Sequence, residues 1–201
     1  MESSNLAKST KLLYDSDLKF FTTKTIRDIL VIEEQSVFFD YIHKLIKNNI
    51  LTKIERDKYI LTSKTPDTMM LANMLYQPSY ISFETALNFY GILAQFPREI
   101  TSVTTKKTNQ KIVGEHVYSY AHIDPKFYFG YEKINDFIIA TPEKALFDQG
   151  YLTSKGIKHL NMDEYDLSRI NKNVFKSYIK KIENNQQFKE ILSIFCKYLN
   201  L

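Results

Sequence analysis

Residues 35–48 constrain the fold of this chain more than any other segment, because they carry its clearest helical periodicity. Apolar side chains recur on one helical face while polar and charged ones occupy the other; the apolar set is Val37, Phe38, Tyr41, Ile42, Leu45 and Ile46. Such a helix buries its apolar stripe in a core and leaves the opposite face for solvent or a ligand. The segment therefore predicts an amphipathic helix with one polar face directed outward.

Two β-prone segments follow this helix immediately, at residues 50–55 and 58–62. Only Arg56-Asp57 separates them, which predicts a tight hairpin, although the loop lacks the glycine that such turns favour. Upstream, a threonine-capped short helix is expected over residues 24–30 and another helix over residues 3–14. The order of three helices and a hairpin predicts a winged helix-turn-helix over residues 1–64, with the hairpin as its wing.

The rest of the chain, residues 65–201, mixes both periodicities. A connecting helix is expected to start at Thr65-Pro66-Asp67 and to stop before Pro78, and another helix to open at Ser82. Strands are predicted at 99–105, 110–113, 116–122 and 137–140, then helices from Thr141 and over residues 172–182 and 186–199. The predicted fold class is α+β: an N-terminal winged helix-turn-helix followed by a mixed α+β domain with an antiparallel sheet and C-terminal helices.

Charge and composition narrow the class of protein. The net charge of +4 is too small to indicate a nucleic-acid ligand by itself, but basic residues collect at the two ends of the chain around a slightly acidic middle. The single cysteine, Cys196, excludes an internal disulfide, and no apolar run approaches the roughly 20 residues of a membrane span. Without a signal-peptide pattern at the start, the expected location is the cytoplasm, with no membrane partner.

Polar residues of the predicted recognition helix and hairpin are the candidate DNA contacts. If this face binds DNA, amide and hydroxyl groups near the start of the helix are expected to reach base edges, and the lysines are expected to contact phosphates. The candidate set is Thr23, Lys24, Gln35, Ser36, Phe39, His43, Lys44, Lys47, Lys53, Arg56 and Lys58. Asp40 does not fit this set, because phosphates repel a carboxylate. It either accepts a hydrogen bond from a cytosine amino group, orients a neighbouring lysine, or lies away from the contact face. An ordinary solvated surface is the alternative for each of these residues.

A second basic feature lies in the tail. Lys172, Lys176 and Lys180 recur at every fourth position with Lys181 beside them, which forms a stripe on one helical face. This stripe extends the DNA footprint, meets an acidic toxin or RNA surface, or serves solubility alone. The sequence leaves these three readings open.

Motifs of catalysis and cofactor binding are missing from the sequence. It has no glycine-rich phosphate loop, no His-Glu-x-x-His zinc motif and no Gly-x-Ser-x-Gly elbow, so we expect no enzyme, cofactor or metal site. His116, His122 and Asp124 are spread over too much chain to converge on a metal. Glu99, Glu115 and Lys111 are too loosely spaced for a nuclease centre, and the aromatic segment 127–131 is better explained by core packing than by base stacking.

Three segments resemble the signature blocks of the AbiEi-type antitoxins of bacterial abortive-infection (type IV) toxin–antitoxin operons. They are PSYISFETAL at 78–87, EITSVTT at 99–105 and ATPEKALFD at 140–148, in the same order and with the same spacing. The resemblance covers residues 20–152. It implies an N-terminal domain that represses its own operon by binding operator DNA and a C-terminal region that counteracts a nucleotidyltransferase-like toxin.

Two classes of function follow from these patterns. The first is an autorepressor and antitoxin that binds double-stranded operator DNA. The second is a protein-interaction module that neutralises a partner without sequence-specific DNA binding. No coiled-coil heptads are visible, so a monomer on repeated half-sites and a weak dimer are equally compatible with the sequence.

Overall fold

The computed structural model describes residues 2–183 and 185–201, and the chain divides into two compact units between Asp67 and Thr68. Both units combine helices with strands, which confirms the predicted α+β class. Among the described residues, no helix is both long enough and apolar enough to cross a membrane.

The first unit contains three helices and a three-stranded sheet. Its elements are α1 (Glu2–Asp15), β1 (Phe20–Thr22), α2 (Thr23–Leu30), α3 (Gln35–Lys47), β2 (Leu51–Glu55) and β3 (Lys58–Leu61). The strand order is β1-β3-β2, and both pairings are antiparallel. The helices and the hairpin lie within a few residues of their predicted positions. Strand β1 is an addition that the sequence pattern did not predict.

The core of the first unit draws side chains from each of these helices and strands. Its fully or nearly buried members are Leu13, Phe21, Ile26, Phe38, Ile42, Leu45, Leu51, Tyr59 and Leu61. The apolar face of α3 supplies three of them, as its periodicity predicted. This burial fixes the orientation of α3 and turns its polar face away from the core.

The second unit surrounds a six-stranded sheet with helices. Its helices and strands are α4 (Thr68–Leu75), β4 (Ser79–Ile81), α5 (Phe83–Phe89), β5 (Ile100–Thr104), β6 (Asn109–Val113), β7 (His116–His122), β8 (Tyr131–Ile134), β9 (Phe137–Ala140), α6 (Pro142–Ser154), α7 (Lys172–Ile179) and α8 (Gln186–Leu199). Short 3-10 turns occupy Pro125–Phe127, Met162–Glu164 and Leu167–Arg169. Helix α4 begins at Thr68, so Pro66 precedes it and is not its first helical residue.

The sheet of the second unit is mixed, so the prediction of an antiparallel sheet was wrong. Its order is β6-β7-β5-β4-β9-β8, and the pairs β5–β7 and β4–β9 are parallel. The predicted strands are present, but β7 lies between β6 and β5 and pairs with β5 in parallel. A period of two in the sequence indicates that a segment is a strand, and it does not specify which strand lies beside it.

Helix α6 is the centre of the second unit. Every residue of the helix from Glu143 to Leu152 is buried. A Cβ added at Gly150 would lie 2.7 Å from Cδ2 of Leu192 on α8, so a larger residue there would force the buried Leu192 side chain to shift. Phe127, from the aromatic segment, packs edge-on against Phe147 and Phe188, with ring centroids 5.5 and 5.7 Å away. This contact confirms core packing for Phe127.

Candidate nucleic-acid interface

Helix α2 starts at a side-chain cap. The Thr22 hydroxyl accepts a hydrogen bond from the backbone N–H of Thr25 at 3.1 Å, which satisfies one of the free donors at the helix start. The hydroxyl of Thr23 donates to the Asp57 carboxylate at 3.1 Å, and the N–H of Thr23 donates to the Asp57 carbonyl at the same distance. These two bonds tie the turn of the β2–β3 hairpin to the first residue of α2.

The connection between α2 and α3 is short and tightly turned. Val31 ends α2 in the left-handed conformation, with φ 52° and ψ 48°, while its N–H donates to the Arg27 carbonyl. Only residues 32–34 then separate it from α3. The Ser36 hydroxyl donates to Glu34 at 2.7 Å, across the start of α3.

The outward face of α3 carries most of the predicted contacts on this helix. The side chains of Gln35, Ser36, His43, Lys44 and Lys47 are all exposed. Phe39 differs from them, because it is only partly exposed and packs against the core, with its ring 5.5 Å from that of Phe38. Packing accounts for Phe39 without a ligand, so five of the six predicted α3 residues form the polar face.

The hairpin presents its three predicted cations in different ways. Lys53 is exposed, and the side chain of Arg56 in the turn is 93% exposed. Lys58 is half-buried and forms an ion pair with Glu55, 2.8 Å from Nζ to the carboxylate. Arg56 also has an acidic neighbour, the Asp57 carboxylate 3.7 Å from its Nε, but that pair is exposed and therefore weak, whereas the charge of Lys58 is balanced at closer range within the strand pair. Asp57 adopts a left-handed φ of 60° in the place where glycine was expected.

A surface depression of about 430 Å³ lies at the start of α2. Thr22, Thr23, Lys24, Arg27 and Asp57 line it. This places the predicted pair Thr23 and Lys24 on its wall. Arg27 was not predicted, although it lies one helical turn after Lys24 on α2, and that spacing could have identified it.

Arg27 is held against the core by an aromatic ring. Its guanidinium lies 4.6 Å from the centroid of the Phe38 ring. A cation over the face of an aromatic ring is stabilised by the ring quadrupole. The contact links α2 to the buried side of α3.

No family model matches this chain, and none of the curated proteins compared with it has a similar sequence.

The lysines of the tail remain at the surface of the second unit. Lys172, Lys176, Lys180 and Lys181 are all exposed, and α7 ends at Ile179, so the last two follow the helix. The Nζ of Lys181 lies 3.8 Å from the centroid of the Phe129 ring. The helical stripe is therefore shorter than predicted, and Lys181, beyond the end of α7, lies over an aromatic ring.

Burial raises the pKa of the Cys196 thiol, and the nearby charge of Lys176 partly opposes this rise.

A buried polar network joins the three segments 78–87, 99–105 and 140–148. The Asp148 carboxylate accepts hydrogen bonds from the Tyr80 hydroxyl at 3.0 Å and the Ser82 hydroxyl at 2.8 Å, and it forms an ion pair with Lys144. The Thr101 hydroxyl donates to the Ser82 carbonyl at 2.7 Å. Burial raises the pKa of Asp148, and Lys144 partly offsets this rise. The network is inaccessible to solvent, which suits a structural role.

An open groove with both apolar and polar lining residues crosses one face of the sheet. Two adjoining cavities of about 570 and 480 Å³ share Glu99, Thr101, Gln110 and Lys158. The hydroxyl of Ser119 donates to Glu99. Because neighbouring residues of a strand face opposite sides, Lys111 lies on the other face from Gln110 and Glu99, and no nuclease-like centre forms there. Among the described residues, no three His, Cys, Asp or Glu side chains are grouped as metal ligands.

Proposed function

We propose that this chain is a DNA-binding autorepressor and antitoxin of the AbiEi type, with a winged helix-turn-helix as its first unit. The observation that carries the proposal is the division of α3 into two faces. Phe38, Ile42 and Leu45 are buried, while His43, Lys44 and Lys47 are exposed opposite them. A helix held by its apolar face, with cations and amides directed outward, has the form of a recognition helix.

The contacts expected with DNA follow from the side chains on each element. Gln35 and Ser36 at the start of α3 reach base edges in the major groove, and the lysines further along contact phosphates. Lys24, exposed near the start of α2, contacts a phosphate on the flank. Arg56, at the hairpin tip, reaches the neighbouring backbone or minor groove.

The antitoxin half of the proposal rests on the resemblance of the three segments in the second unit. Its partner would be a nucleotidyltransferase-like toxin encoded beside it, and both would act in the cytoplasm. The three segments meet around Asp148 inside the unit. The buried network around Asp148 therefore supports the fold of the unit and offers no contact surface to a toxin.

The DNA proposal is tested by a gel shift on the DNA upstream of the reading frame, over a series of salt concentrations. If Lys24, Lys44, Lys47, Lys53 and Arg56 each neutralise one phosphate, the logarithm of affinity falls with the logarithm of salt at a slope of about −4.5. The double variant Lys44→Glu/Lys47→Glu loses binding. The matched control Lys8→Glu/Lys11→Glu changes two exposed lysines of α1 and retains most of it. Salt-independent or absent binding would favour the protein-interaction module.

The antitoxin proposal is tested separately in growing cells. The neighbouring reading frame is induced alone and together with this chain. Growth arrest by the neighbour and rescue by this chain are the expected results. A chain that binds upstream DNA and fails to rescue growth would leave the repressor proposal standing and refute the antitoxin proposal.

A further inference from the structure

Asp40 lies on the outward face of α3, among the residues proposed to enter the major groove. Ser36 precedes it by one helical turn, and His43 and Lys47 follow it at three and seven positions, so the four share one face. The Asp40 side chain is exposed. Its carboxylate is the one negative charge among the exposed residues of that face.

The structure gives Asp40 no role in holding the protein together. Within residues 2–183 and 185–201, its side chain makes no hydrogen bond and no ion pair, so it does not orient a lysine. A carboxylate interacts favourably with the helix dipole in the first turn of a helix, and Asp40 lies beyond the first turn of α3. Aspartate is also a poor helix former at an interior position. Apart from its i,i+4 spacing to Lys44, which favours an exposed helix only slightly, the side chain gives the helix no stabilising contact.

A carboxylate at this position discriminates strongly among base edges. It can only accept hydrogen bonds, and it is repelled by the O6 and N7 acceptors of guanine and by O4 of thymine. Adenine carries an N7 acceptor beside its amino donor, whereas cytosine itself carries the N4 amino group and no acceptor at the major-groove edge. Cytosine is therefore the base edge that best matches an isolated carboxylate.

We infer that Asp40 is a specificity-determining residue that accepts a hydrogen bond from the N4 amino group of a cytosine in the major groove. The inference rests on the proposed DNA-binding function and adds the base that the site selects. The same carboxylate repels phosphates, so it lowers affinity for DNA in general while favouring duplexes with cytosine at one position. Specificity of this kind comes from penalising the wrong partner as well as from binding the right one.

The test selects binding duplexes from a random double-stranded library with the full chain and with Asp40→Asn and Asp40→Ala. Asp28→Asn is the matched control, because Asp28 is an exposed carboxylate on α2. For the unchanged chain, we expect one position at which replacing C·G by T·A weakens binding at least about fivefold. Both Asp40 variants lose this preference at that position alone and bind unselected duplex more tightly. Asp28→Asn retains the preference.

Each other outcome has a defined meaning. An unchanged base preference in both Asp40 variants overturns the inference, whether or not their overall affinity rises. So does a selected duplex in which no position requires cytosine. Failure of the unchanged chain to enrich any duplex refutes the DNA-binding proposal itself, which is a different result. Circular dichroism of the variants confirms that α3 is intact, as expected for an exposed side chain.

Discussion

The ammonium group of Lys144 donates a hydrogen bond to the Asp148 carboxylate one helical turn away, at a place where neither side chain reaches solvent. The rings of Tyr80, Phe129 and Phe147 surround the ammonium, with centroids 5.0 to 5.5 Å from Nζ. An ion pair in such a setting is expensive to break from one side, because the remaining charge is left buried. The pair lies within α6, and its contacts reach other elements: the Tyr80 hydroxyl of β4 donates to Asp148, and the Phe129 ring before β8 lies over the Lys144 ammonium.

Removing one partner of this pair should destabilise the second unit strongly. Lys144→Met or Asp148→Asn alone is expected to lower the free energy of unfolding by about 3–5 kcal/mol. The double variant Lys144→Met/Asp148→Asn should recover about 2 kcal/mol relative to the sum of the single changes, because no unpaired charge remains. Urea unfolding followed by circular dichroism measures the three values.

The control for this cycle is Lys126→Met. Lys126 forms an exposed ion pair with Asp124 at 3.4 Å, and such pairs contribute less than about 1 kcal/mol. Additive effects of the two changes at Lys144 and Asp148 would contradict a coupled buried pair.

Val31, in the turn between α2 and α3, has a strained backbone conformation, and substitution by glycine should relieve that strain. Val31 is β-branched, 80% exposed and in the left-handed conformation, which costs an L-residue about 1–2 kcal/mol. Val31→Gly should therefore stabilise the first unit by about 1 kcal/mol, measured by thermal unfolding. Val37→Gly, at an exposed helical position of α3, should instead destabilise it by roughly 0.5 kcal/mol. A loss of stability in Val31→Gly would show that the left-handed turn is not strained.

Partly buried tyrosines should make the second unit sensitive to alkali. Burial is the largest cause that raises the pKa of Tyr128 to about 12, and it also raises the pKa of Tyr165 to about 12. The folded pKa values exceed the unfolded ones, so this contribution to stability is complete below about pH 10 and is lost as the pH rises towards 12. Urea unfolding at a series of pH values should show this decline.

Two variants identify the source of that alkaline decline. Tyr128→Phe and Tyr165→Phe should each make it shallower, because each removes one ionisable group. Tyr198→Phe, which replaces a side chain that is 57% exposed, should leave the slope as it is. If the free energy of unfolding declines with pH equally steeply in all three variants, ionisation of other groups causes the decline.

The two cations of the hairpin tip should contribute unequally to DNA binding. Arg56→Ala removes a side chain that is 93% exposed, so the salt slope should become shallower by about 1. Lys58→Ala removes a cation already paired with Glu55, so the slope should change much less. Gel shifts of both variants on one duplex compare them directly. Equal changes of the salt slope in the two variants would mean that the Lys58–Glu55 ion pair opens when the protein binds DNA.

Local sequence pattern was sufficient for most of the helices and strands. The α3 pattern was predicted over residues 35–48 and found over Gln35–Lys47, while α8 and β7 were placed at their observed bounds. Each of these segments is long enough for its apolar residues to repeat with a period of 3.6 or 2. The candidate face of α3 followed from the same periodicity, because burying one side of a helix exposes the other.

Strand neighbours and side-chain partners were decided only by the tertiary structure. Strands β1 and β4 have three residues each, too few for a repeat, and Phe20 pairs with Ile60 from far along the chain. Lys58 is half-buried against Glu55, and Phe39 packs on the core, which their residue types do not reveal. A side chain's spacing along the chain fixes the face it occupies, whereas its partners depend on segments that meet only after folding.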